Sequence, residues 1–148
     1  NNVFSKLPPV TGKWISIGRL DIQTTGLILF TNDGDLAHKI MHPSFSLKRE
    51  YYVNTNRALT KDDIDSLLNG VPINKSDLGK FDSIDEIADK YYRLILSTGK
   101  NREIRNSLKH FNIKTLKLHR SKYASLDLDD MEEGEHRHLS PKEISFLI

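Results

Sequence analysis

The segment Gly18-Arg19-Leu20-Asp21-Ile22-Gln23-Thr24-Thr25-Gly26-Leu27 sets one acidic side chain, Asp21, between two apolar runs. A carboxylate on a glycine-containing loop at a strand end is placed to project into a cleft. Ionised, it serves as a nucleophile or a general base. Loop aspartates more often cap a turn, and one residue does not separate the two roles. A second chemical feature lies between Lys100 and Lys122. Lys100, Arg102, Arg105, Lys109, Lys114, Lys117, Arg120 and Lys122 face a single acid there, Glu103, so the stretch carries +7 of a chain total of +2 and the remainder is acidic. Asn101, His110 and His119 in the same run, with Tyr123 just past it, suit phosphates, 2′-hydroxyls and stacked bases. A charge run is commonly only a solvated face; this one is read as a surface for a polyanion.

The elements that must position these groups follow from pattern. Trp14 to Leu20 reads as a strand and Gly26 to Thr31 as a second, buried one, with Leu27-Ile28-Leu29-Phe30 in the core. Asn32-Asp33-Gly34 is a turn that also caps a helix carrying Leu36, Ala37, Ile40 and Met41, stopped by Pro43. Tyr51 to Asn56 is β-prone. Thr60-Lys61-Asp62-Asp63 approximates a capping box for a helix through Leu67 and Leu68, closed by Gly70. Lys90 to Thr98 alternates as a strand does. Asn101 to Phe111 places Ile104, Leu108 and Phe111 on one helical face, with Asn112 as the stop. A long strand is expected from Lys114 to Leu126. Ser140-Pro141-Lys142-Glu143 is a capping box with proline at the first helical position, followed by an apolar tail. Short strands mixed with short helices predict an α+β domain with one mixed sheet.

Composition sets the bounds. At 148 residues and 37% hydrophobic content the chain fills one core. Charged residues make up 28%, but with a net charge of +2 bulk charge announces no partner. The absence of cysteine excludes disulfides, thiolate metal sites and cysteine nucleophiles, and fits a reducing cytoplasm. No apolar run is long enough to span a membrane. Six histidines match no zinc spacing, so no metal site is expected. Gly99-Lys100 lacks the upstream glycine and following Ser or Thr of a phosphate-binding P-loop. Asn1-Asn2-Val3-Phe4-Ser5-Lys6 has no features of a signal peptide and no initiator Met, which suggests a fragment or a trimmed chain.

GRLDxxTxGL, followed by Thr31-Asn32-Asp33-Gly34, resembles the catalytic signature of the pseudouridine synthases typified by the bacterial small-subunit enzyme RsuA and its large-subunit relatives. Arg49-Glu50-Tyr51-Tyr52-Val53 resembles that family's basic-x-Tyr strand. Thr98-Gly99-Lys100-Asn101-Arg102-Glu103-Ile104-Arg105 resembles its G-[RK]-N-R-[QE]-[VI]-R helix. Gly134, Arg137, Leu139 and Glu143 resemble its tail. The likeness covers nearly the whole chain. Leu7-Pro8, Lys13-Trp14-Ile15, Met41-His42-Pro43 and Asn101-Arg102-Glu103 are most similar to the RluB type, which acts on 23S rRNA in the peptidyl transferase region.

The resemblance implies the pseudouridine synthase fold, a mixed, largely antiparallel sheet with short flanking helices, over residues 1–148. It implies an isomerase that needs no cofactor, since the reaction conserves bonds and oxidation state, working as a cytoplasmic monomer on ribosomal RNA. Carried over residue by residue, it makes Asp21 the catalytic carboxylate, Arg105 its guanidinium partner and Tyr51 the aromatic that stacks on the uracil. Tyr52, on the opposite strand face, would be the core residue. Arg19, Lys100 and Arg102 would contact RNA phosphates. The chain departs from the family in lacking the leading S4 domain and the strand with a Lys-Pro-x-Gly motif, so it reads as an N-terminally truncated catalytic domain. Loss of that strand would expose a sheet edge and shift the partners of Asp21. Asn106 stands where Arg is common, removing a phosphate contact, and His136 stands where Trp is frequent. The alternatives are a non-catalytic RNA-binding or assembly module on the same fold, a synthase for small-subunit rRNA, and a metal-dependent nuclease. The nuclease would need converging carboxylates, for which the sequence offers no spacing.

Overall fold

Arg49–Thr55 alternates between core and outer face along its length, as a strand covered on one side must. This strand lies at the middle of a computed structural model that describes residues 3–42, 45, 47–100 and 102–147. After a 3₁₀ turn at Val3–Lys6 the order is β1 (Ile15–Ile17), β2 (Thr24–Gly26), β3 (Leu29–Thr31), α1 (Gly34–Met41), β4 (Arg49–Thr55), α2 (Lys61–Asn69) and β5 (Val71–Pro72). There follow β6 (Leu78–Gly79), β7 (Ser83–Ala88), β8 (Tyr91–Leu96), α3 (Glu103–Lys109), β9 (Thr115–Tyr123), β10 (Leu126–Asp127) and α4 (Pro141–Leu147).

The main sheet has six strands in the order β10-β9-β4-β8-β7, with β2 added along β9. The β2–β9 pair is parallel and the others are antiparallel, so the sheet is mixed and largely antiparallel, as expected. Pairs β1–β3 and β5–β6 form small separate ladders.

Helix starts follow the local sequence closely. Asp33 caps α1 by accepting from Asp35 N and Leu36 N. Thr60 and Asp63 complete a reciprocal capping box on α2. Ser140 and Glu143 do the same on α4, at 3.1 and 2.9 Å. Each such cap stabilises its helix by about 1 kcal/mol.

Two apolar clusters form. The larger packs Val53, Tyr92, Leu94 and Leu118 of the sheet against Leu67 of α2 and Ile104 and Leu108 of α3. The smaller gathers Ile17, Leu29, Ala37, Ile40, Tyr123, Leu126 and Leu147 from β1, β3, α1, β9, β10 and α4.

Several expected elements are shorter or broken. The strand expected over Trp14–Leu20 is three residues long and ends before Gly18, whose φ is +74°. The expected strand Gly26–Thr31 divides, because β2 runs along β9 and the chain then turns away to pair β3 with β1. Of the run Leu27-Ile28-Leu29-Phe30, only Leu29 is buried; the other three are half-buried. The long strand from Lys114 breaks at Ala124, φ +55°, into the β9–β10 hairpin. Asn112 does stop the helical stretch, with φ +59°, though α3 itself closes at Lys109. Strand β7 gave no sequence signal, since its residues Asp85–Ala88 are all exposed. Pro43 and Asn101 lie outside the described residues.

Candidate active site

Asp21 sits on the loop that leaves β1 and enters β2, and the placement of β2 fixes where that loop can go. Thr24, Thr25 and Gly26 pair with Leu118, His119 and Arg120 of β9. A Cβ on Gly26 would lie 2.1 Å from the Arg120 carbonyl oxygen, and its φ is +117°. Only glycine allows both the conformation and the approach. The loop is therefore tied down one strand width from the main sheet.

Within the loop the two carboxylate oxygens of Asp21 divide the work. Oδ1 accepts from Gln23 N at 3.0 Å and from Thr24 Oγ1 at 2.7 Å, the turn-capping role of an ordinary loop aspartate. Oδ2 points the other way and accepts from Arg105 Nε at 3.1 Å. Arg105 also donates from Nη2 to Gln23 O at 3.1 Å and to Thr24 Oγ1 at 3.4 Å, so one guanidinium grips both the carboxylate and its loop. Partial burial pushes the Asp21 carboxyl up. The Thr24 hydroxyl, the Arg105 charge and the Gln23 N–H together outweigh it and hold the pKa below the ordinary value of 3.8.

Arg105 is presented by α3, whose first turn is organised by a residue that sequence reading passed over. Glu103 is 3% exposed, yet among the described residues its carboxylate forms no ion pair. It accepts instead from Thr98 Oγ1 at 2.9 Å, Lys80 N at 3.1 Å and Lys100 N at 3.2 Å, pinning the loop before the helix. Its place in the motif, one residue after Arg102, was the available signal. Arg102 adopts φ +52° and reaches Asp21 Oδ2 at 3.5 Å with a half-exposed side chain. Lys100 Nζ donates to Leu78 O at 2.6 Å.

Asp21, Arg105 and Tyr51 meet around a cavity of about 410 Å³, which Arg19, Lys100 and Arg102 also line. That size falls in the range of small-ligand sites. Tyr51 is 9% exposed and sits on the sheet floor opposite Leu94 and Arg120. Tyr52, expected in the core, is instead half-buried on the other face and stacks on Tyr91 with centroids 5.7 Å apart. The two tyrosines exchange places because the helices cover the Tyr51 face.

The basic stretch is not one surface. Lys109, Lys114 and Lys117 are exposed, but Arg105 is committed to Asp21, Lys122 lies 3.7 Å from Asp127, and Arg120 is 2% exposed. Alternation along β9 turns Arg120 inward with Leu118. Arg49 and Tyr123 also reach the cavity. A β-bulge makes this possible: Tyr51 and Arg49, two apart on β4, face Arg120 and Tyr123, three apart on β9.

Comparison with known proteins agrees with this architecture. The family model described as RNA pseudouridylate synthase matches residues 5–110. The chain is 36% identical over 98% of its length to the protein named ribosomal large subunit pseudouridine synthase B of Pseudomonas aeruginosa, and 39% identical over 98% to the one of that name from Buchnera aphidicola. It spans 39% and 61% of the length of those two relatives. A solved structure described as a pseudouridylate synthase superposes with a TM-score of 0.90 at 29% identity, covering 99% of this chain and 65% of that one. An archaeal box H/ACA Nop10–Cbf5 complex shares the fold at a TM-score of 0.58 and 15% identity. With a tethered aspartate, its guanidinium partner and an aromatic floor on that fold, the chain belongs to the RNA pseudouridylate synthase family.

Proposed function

We propose that the chain isomerises a uridine of large-subunit (23S) ribosomal RNA to pseudouridine, in the peptidyl transferase region, with Asp21 as the catalytic carboxylate. The observation that carries this reading is Asp21, kept charged by the Thr24 hydroxyl and by Arg105, whose Nε lies 3.1 Å from Oδ2, on the wall of a cavity floored by Tyr51. The names of the Pseudomonas and Buchnera relatives support the choice of large-subunit RNA. The protein works as a cytoplasmic monomer; among the described residues no helix is long and apolar enough to cross a membrane.

In the reaction the C1′–N1 bond breaks, the uracil turns, and a C1′–C5 bond forms. C5 releases a proton to solvent and N1 takes one up. No electrons enter or leave. Asp21 acts as nucleophile on the sugar or base, or takes the proton from C2′, and each route needs the charged form. Arg105 keeps it charged and aimed. The target base leaves its stack and lies on the Tyr51 ring. Arg19, Lys100 and Arg102 at the rim take backbone phosphates, Arg102 giving up its contact with Asp21 as it does so.

The test is tritium release from ribosomal RNA labelled at uridine C5. Asp21→Asn removes the activity and leaves RNA affinity within a few-fold, because phosphate contacts dominate binding. Turnover by that variant would overturn the assignment, and an inert parent chain would favour a binding module.

A further inference from the structure

We propose that Arg120 is a substrate-reading residue that donates from Nη2 to a carbonyl oxygen of the uracil in the cavity. The inference rests on the isomerase reading above and adds to it what recognises the base.

Arg120 is 2% exposed and forms no ion pair among the described residues. Its Nε donates to Leu27 O at 2.8 Å, and its guanidinium lies 5.2 Å from the centroid of the Tyr123 ring. Those two contacts fix the plane and depth of the group. Among the described residues its Nη2 is buried without a hydrogen-bond partner, and the residue lines the cavity. A buried donor nitrogen left without an acceptor is costly and calls for a partner, which a bound ligand can supply. Arg120 is also the direct cross-strand neighbour of Tyr51, on the same face of the sheet. A base stacked on Tyr51 therefore presents its edge, not its ribose phosphate, to Arg120. The exposed cations, Arg19, Lys100 and Arg102, stand elsewhere on the lining, so a neutral acceptor is the fitting partner at the floor.

Uracil offers such an acceptor in both halves of the reaction. Turning the ring half a revolution about the N3–C6 axis exchanges N1 with C5, as the new bond requires, and exchanges C2 with C4. A fixed donor thus meets one carbonyl before the turn and the other after it. Cytosine carries an amino donor at C4 and would set donor against donor in one of the two orientations, so the same contact favours uridine over cytidine.

The experiment uses the full chain and the RNA segment around the uridine it modifies, synthesised with uridine, 2-thiouridine or 4-thiouridine at that position. Sulfur is a weak acceptor, so substitution at a read carbonyl should slow the parent protein about 10-fold or more. Arg120→Met should be about 100-fold slower on uridine and should discriminate less than 2-fold between uridine and either thio-substituted base. Arg120→Lys should recover part of the rate. Equal rates of the parent on all three RNAs, or undiminished discrimination by Arg120→Met, would overturn the inference, since a purely structural arginine predicts one of those results. If Arg120→Met does not fold, the parent and Arg120→Lys decide through the same comparison. A parent chain that makes no pseudouridine even from the uridine RNA refutes the isomerase reading itself and this inference with it, a result distinct from the other two.

Discussion

Asp21 and Asp63 are built from the same parts. Each carboxylate accepts from an arginine, at 3.1 Å from Arg105 and 2.7 Å from Arg57. Each accepts from a backbone N–H, of Gln23 or Thr60, and engages a nearby threonine. In both, burial pushes the carboxyl up and the partners outweigh it, so both pKa values lie below 3.8. Asp63, however, is 7% exposed and stands off the wall of the cavity that Asp21 helps to form. Arg57 also donates to Ala58 O and Phe111 O, which ties the start of α2 to the end of the α3 segment. A lowered carboxylate pKa and an arginine partner thus mark a side chain that is firmly held. Access to a space of nucleoside size is what separates a working group from a structural one.

The largest expected effect breaks the pair apart by function. Asp21→Asn should abolish pseudouridine formation, a loss of about 10³-fold or more that leaves no detectable turnover, with little change in thermal stability. Asp63→Asn should do the reverse, removing about 1–3 kcal/mol from the unfolding free energy in urea while activity per folded molecule stays within about 2-fold. Loss of activity in a stably folded Asp63 variant would erase the distinction.

A smaller effect should appear when the guanidinium is removed. Arg105→Met should lower the rate about 100-fold and shift its acid limb. Activity needs ionised Asp21, so it is present above the folded-state pKa and lost as pH falls through it. Without Arg105 the lowering charge is gone and burial still pushes up, so the limb moves to higher pH. The matching change, Arg57→Met, should leave that limb in place. It should weaken the part of stability that Asp63 contributes above pH 3.8, which in the parent is lost only as pH falls below that value. An acid limb unmoved in Arg105→Met would mean that another group sets it.

The smallest effect tests the rim. Arg102 reaches Asp21 at 3.5 Å through a side chain that is 46% exposed, so solvent screens the contact. Arg102→Ala should change the rate on saturating RNA by no more than a few-fold and lower the slope of log affinity against log salt by about 1. A rate loss comparable to that of Arg105→Met would place Arg102 in the chemistry.

Much of this was legible before any coordinates. The three caps at Asp33, Thr60 and Ser140 depend on residues within three positions of one another, and all three formed where the sequence put them. The motif segments named Asp21, Tyr51 and Arg105, and the fold brings those three to one cavity. The misread positions have a common origin. Tyr51 and Tyr52 alternate equally well, and which faces the helices depends on α2 and α3, far along the chain. Arg120 counted as one more cation in a basic run until strand pairing turned it inward, and Lys122 until a hairpin set it beside Asp127.

The sequence by itself determined the candidate carboxylate and the capped helices, because each is written in residue type and short spacing. Tertiary structure alone decided which face of the sheet became the cavity floor and which arginines stayed in solvent. Those outcomes depend on register between strands distant in sequence, where a single bulge at Ser121 changes which side chains point inward.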